Sequence, residues 1–157
     1  MATVLRFIDV DVPVRNAYNQ WAQFEELPEF MQGVKRVVQL DESNLRWRAE
    51  VGGRKRDWTA RITEQVPGKR IAWTSTSGPR NAGVVTFHRL GGDRCRVALQ
   101  LDYEPEGLLE DVTDLFGVLA SCAEGDLQRF KRFVEAAGRE SDAWRGPVRS
   151  ADGASAG

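Results

Sequence analysis

The chain has one histidine, His88, and two cysteines, Cys95 and Cys122. A Ser–His nucleophilic pair needs an imidazole beside the hydroxyl it deprotonates. His88 lies in VVTFHRL, where alternation puts Val85 and Phe87 on one face and His88 on the other. It is therefore expected to face water. Zinc sites need three or four converging protein ligands, and these residues do not supply them, so no metal and no cofactor are expected. The cysteines read as two buried thiols in a reducing cytoplasm, not as a disulfide framework. Gly91-Gly92-Asp93 lies between two strand patterns and opens no helix, which suits a hairpin turn and not a phosphate loop. Acidic residues are plentiful, but alternation forces none of them inward. The best inward group for proton chemistry is Tyr103, and Ser75 is second. Their plain structural alternatives are a phenol bonded at the core edge and an ordinary strand serine.

The bulk charge excludes whole classes of partner. The 157 residues hold 22 Lys+Arg against 23 Asp+Glu, for a net charge of −1. No overall field favours nucleic acid or an anionic membrane. No apolar run reaches the ~18–20 residues that span a bilayer. The N-terminus, MATVLRFIDVDV, alternates and carries acids, unlike a signal peptide. The expected setting is the cytoplasm, as a monomer or homodimer.

Seven strand patterns, two short helical segments and one long helical stripe must position these groups. TVLRFIDVDVPV places Ile8 and Val10 together and ends at Pro13. VRNAYNQWAQF has Ala17, Trp21 and Phe24 at helical spacing. Pro28 breaks that helix and is well placed to start another turn, because its fixed φ suits a first helical position. VKRVVQLD, NLRWRAEVG, RKRDWTARITEQV, RIAWTSTS, VVTFHRL and RCRVALQLDYE follow as strands, with Gly52-Gly53, Pro67-Gly68 and Gly91-Gly92 as turns. Their apolar sides carry Trp47, Trp58, Trp73, Phe87, Leu99, Leu101 and Tyr103. One-sided alternation over consecutive hairpins describes an antiparallel sheet with one wet face. From Leu108 to Ala137 the apolar period becomes that of one long amphipathic helix, with Gly117 and Gly125 inside it. Those glycines suit a close contact or kink, or room left for a ligand. The domain is expected over residues 1–138, with 139–157 as a flexible tail.

Sheet and long helix must bury each other's apolar sides. A strongly twisted sheet curls, and a curled sheet touches a single helix along a line. The space left beside that line is a natural pocket. The segments IDVDVPVRNAYNQW, FEELPEFMQGVKRVVQLD, RIAWTSTSGPRNAGVVTFHRL, VALQLDYEPEG and GDLQRFKRFVE resemble the START-like (SRPBCC, Bet v 1-like) superfamily. The likeness is to its polyketide cyclase/dehydrase-like group, related to coenzyme Q-binding proteins, and covers about residues 4–138. It implies an α+β helix-grip fold: a seven-stranded curved antiparallel sheet around a long C-terminal helix, with two short helices after the first strand.

The resemblance also implies a cavity between sheet and helix for a lipid, quinone or polyketide-like aromatic. Its expected lining is Phe30, Met31, Trp47, Trp58, Trp73, Ser75, Phe87, Leu99, Tyr103, Leu115 and Leu119. Its mouth would carry Arg54, Lys55, Arg56 and Arg80 against Glu104, Glu106 and Glu110. The alternative is a cyclase/dehydrase acting in that cavity. Aromatase-type relatives use an arginine and a tyrosine at positions occupied here by Ile62 and Val34, neither of which can move a proton. That departure leaves Tyr103 as the catalytic candidate.

Overall fold

The computed structural model describes residues 2–51, 53–104 and 115–144. Strand β1 (Ala2–Val10) leads into helix α1 (Val14–Trp21) and a 3₁₀ helix (Phe24–Glu29). Six strands follow: β2 (Val34–Gln39), β3 (Asn44–Val51), β4 (Arg54–Val66), β5 (Arg70–Ser75), β6 (Asn81–Gly91) and β7 (Arg94–Tyr103). Two helices, α2 (Leu115–Ser121) and α3 (Ala123–Trp144), complete the order. The strands form one antiparallel sheet in the order β1-β7-β6-β5-β4-β3-β2. This is the expected α+β helix-grip arrangement. No helix among the described residues is long and apolar enough to cross a membrane.

The alternation sorts the strands as physics requires. In β7, Cys95, Val97 and Leu99 are buried, while Arg96, Ala98 and Gln100 are only half-buried. His88 is on the outer face, 3.0 Å from the Thr86 hydroxyl. Burial pushes the Cys95 thiol up to about 11, with the Asp9 charge acting the same way. Cys122, expected to be buried, is only half-buried, because it lies at a helix break and not inside a helix.

Two local expectations are corrected. Pro28 lies inside the 3₁₀ helix rather than starting a turn. A 3₁₀ segment this short leaves the proline nitrogen without a required partner, and the Phe30 and Met31 amides instead close on the Leu27 carbonyl at 3.1 and 2.9 Å. The C-terminal helix is also not one piece. Its expected start, Leu108, lies outside the described residues, and the rest is broken at Cys122. The Ser121 hydroxyl donates back to the Val118 carbonyl at 2.7 Å, and the Cys122 amide takes the Leu119 carbonyl at 3.1 Å. Both bonds compete with the helical ladder. Helix α3 then runs on to Trp144.

Candidate functional site

Helices α2 and α3 cross different parts of the sheet. Helix α3 packs on β1 and α1, and α2 packs on β3 and β7. Beneath the break between them lies a cavity lined by Met31, Gln32, Val34, Trp47, Trp58, Trp73, Asn81, Ala82, Leu101, Asp102, Tyr103, Leu119, Ala120 and Asp126. Its volume is about 70 Å³, and it opens to solvent at one end. It is a slot with a largely apolar wall.

Three indoles build that wall. Trp47 and Trp58 are direct partners across the β3–β4 ladder. Their rings stack with centroids 5.8 Å apart and planes 6° apart. Trp73 completes the series at 6.4 Å from Trp47, tilted by 27°. Its ring needs a glycine on the neighbouring strand, because a Cβ on Gly83 would lie 2.3 Å from Trp73 Cζ2. Gly78, at φ +77°, turns the β5–β6 loop over Trp58, and a Cβ there would lie 2.9 Å from the Trp58 Cβ. The buried Trp47 Nε1 has no hydrogen-bond acceptor among the described residues.

The opposite wall holds a buried acid. Asp126, 7% exposed, lies in the first turn of α3. Its Oδ1 accepts from the Gln32 amide at 2.9 Å and from Arg129 Nη2. Arg129 Nε in turn donates to the Phe30 carbonyl at 3.0 Å. These bonds pin the Phe30–Gln32 segment to α3. Burial pushes the Asp126 carboxyl above its ordinary value, against the opposing pull of the Gln32 amide and the Arg129 guanidinium. A Cβ on the neighbouring Gly125 would lie 3.4 Å from both terminal nitrogens of Arg129, at ordinary contact distance.

Of the residues expected at the cavity, Met31, Trp47, Trp58, Trp73, Tyr103 and Leu119 line it. Four others do not. Phe30 is buried among Trp21, Phe130 and Phe133, because the Arg129 bond draws its backbone toward α3. Phe87 packs edge-on against Tyr18 of α1, centroids 5.6 Å apart. Leu99 is 1% exposed in the solid core, since β7 passes under α1 before it reaches the cavity. The Ser75 hydroxyl accepts from the Asn81 amide at 3.1 Å and so closes the β5–β6 loop. The side chain of Leu115 lies outside the described residues.

Val34 lines the slot, and Ile62 is buried beside Trp73 in the β4–β5 ladder. Of the residues expected at the mouth, Arg80 faces Glu104 at 3.7 Å, both well exposed. Glu106 and Glu110 lie outside the described residues. Sequence reasoning missed Asp126, Gln32, Asn81 and Gly83. Asp126 did carry a signal, an i,i+3 Asp–Arg spacing in GDLQR beside an apolar helix stripe.

Several known proteins are similar to this chain. A 17.2 kDa protein of Streptomyces lincolnensis, encoded in the melC2-rnhH intergenic region, is 46% identical over 149 residues, which cover 94% of this chain and 99% of that protein. The crystal structure of a Deinococcus radiodurans protein matches with a TM-score of 0.70 and 28% identity, covering 87% of this chain and 99% of that one. The Zhui aromatase/cyclase of Streptomyces sp. R1128 shares the fold at a TM-score of 0.76 and 18% identity, over 94% of this chain and 99% of that one. The profile of the family described as "Polyketide cyclase / dehydrase and lipid transport" matches residues 10–120, and the chain belongs to that family.

Proposed function

We propose that the protein binds a flat, apolar, ring-bearing small molecule in the slot between the sheet and the α2–α3 break. The observation that carries this reading is the stacked Trp47–Trp58–Trp73 wall beside open space. Aromatic faces favour offset stacking, which adds about 0.5–1.5 kcal/mol per pair beyond area burial. A ligand entering the slot would gain these contacts. A ring oxygen could also give the Trp47 indole N–H an acceptor, and an unmet buried donor costs about 1–3 kcal/mol. Met31, with its adaptable side chain, suits a wall that adjusts to its occupant.

Native mass spectrometry of the purified protein, then denaturing extraction and small-molecule analysis, tests the reading. A co-purified ring compound would support it. Titration of tryptophan fluorescence with a panel of quinones, fatty acids and aromatic polyketides follows. Saturable quenching by ring compounds is expected. No response to any of them, in a protein that also carries no ligand, would refute the reading.

A second reading, a cyclase/dehydrase, is favoured by a specific pairing. Asp126 and Tyr103 both line the slot, and burial makes the Asp126 carboxyl a better proton acceptor than an ordinary carboxylate. In this reading Asp126 abstracts a proton and Tyr103 hydrogen-bonds the developing oxyanion. Turnover of a poly-β-ketone substrate, lost in both Asp126→Asn and Tyr103→Phe while ligand binding persists, would select it over simple carriage.

A further inference from the structure

The outer face of the sheet divides its charge unevenly. At the β1–β7 end each arginine has a carboxylate: Arg96 meets Asp9 at 2.7 Å and Arg94 meets Asp11 at 3.0 Å. Near the β4–β5 turn, Arg70 meets Glu64 at 2.8 Å. Over β2–β4 the pattern fails. The ladders set Arg36 opposite Arg48, Val38 opposite Arg46, and Arg46 opposite Thr59, with Arg61 two residues further along β4. All four arginines are exposed. Asp57 pairs with Arg48 at 3.0 Å. Among the described residues, Arg36, Arg46 and Arg61 make no ion pair. Like charges directly opposite each other weaken an antiparallel pair, so folding gives no reason for Arg36 to face Arg48.

Beside Arg36, Arg46 and Arg48 runs an open groove lined by these three with Val38, Leu40, Trp47 and Asp57. Leu40 stands 53% exposed at its end. We infer that this face docks an acidic, amphipathic segment of a partner protein. Its carboxylates would lie on Arg36, Arg46 and Arg61, and an apolar side chain on Val38 and Leu40. The guanidinium fork matches a carboxylate with two parallel hydrogen bonds. Interleaved aliphatic side chains give a polypeptide something to cover, which a phosphate polymer would leave bare. Asp57, in the middle of the cluster, disfavours a dense row of phosphates. The inference is independent of what the cavity holds, which lies on the other face of the sheet.

Fluorescence anisotropy with a labelled synthetic peptide alternating glutamate and leucine tests it on the full chain. Binding that weakens with salt is expected. The triple variant Arg36→Gln, Arg46→Gln, Arg61→Gln should weaken it about tenfold or more. A charge-matched control, Lys69→Gln, Arg89→Gln, Arg132→Gln, should leave it unchanged. Absence of peptide binding to the unmodified chain would overturn the inference, as would equal loss in both triple variants. Capture of phosphatidylglycerol vesicles through the same arginines, with the peptide left free, would assign the face to a lipid surface instead.

Discussion

Among the described residues, two aromatic clusters of three or more rings lie on one side of one sheet, and only one of them is solid. Trp21, Phe30 and Phe130 meet with ring centroids 5.0–5.6 Å apart at steep angles, and each is at most 1% exposed. Trp47, Trp58 and Trp73 stack nearly parallel and border the slot. The residue types are alike, and the difference lies in what covers them. Helix α1, the 3₁₀ helix and α3 converge on the first cluster and fill it from several directions. The second lies beneath a break between α2 and α3. A helix end cannot interdigitate as a continuous helix face does, so space remains. Aromatic content therefore says little about whether a region is filled.

The sharpest way to break the comparison is to truncate one ring from each cluster. Phe130→Ala removes a ring packed on every side and should cost about 3–5 kcal/mol in denaturant unfolding. Trp73→Ala removes a ring already bordered by space and should cost roughly half as much, about 2 kcal/mol. Equal losses would mean that the tryptophan cluster is as tightly packed as the other. Gly83→Ala tests the slot from the sheet side. The new methyl must displace the Trp73 ring, at about 1–3 kcal/mol, with a change in tryptophan emission. An unchanged emission spectrum would show that the ring does not rest on Gly83.

Asp126 joins the two regions, because it lines the slot while its partner Arg129 holds Phe30. Asp126→Ala should cost about 1–3 kcal/mol by stranding the Gln32 amide and the Arg129 guanidinium, and Asp126→Asn should cost less. A neutral alanine variant would show that the segment holds to α3 by packing alone. The smallest effect is expected from pH. Cys95 is in the solid region, and burial raises its thiol from 9.0 to about 11. Its contribution to stability is thus fully present below pH 9 and lost as pH rises through about 11. At pH 8, iodoacetamide should modify the half-buried Cys122 and spare Cys95. Modification of both at the same rate would place an opening motion in the solid half.

Strand number and strand faces are legible in the sequence, because period-two alternation is a local property. So is the inward placement of the three tryptophans. Helix continuity is not. The apolar stripe runs straight through Ser121 and Cys122, and only hydrogen bonding at those residues breaks the helix there. Phe30, Phe87 and Leu99 faced inward as expected, yet they fill the core instead of lining space. Alternation reports which side of a sheet a residue takes, but not what lies above it. Asp126 shows the converse case. A charged residue in a helix's first turn reads as solvated, and its burial depends on Phe30–Gln32, nearly a hundred residues away in sequence. Periodicity is carried by neighbours along the chain, so the sequence decides it. A void is a deficit of volume where several distant elements fail to meet, and only their three-dimensional arrangement decides that.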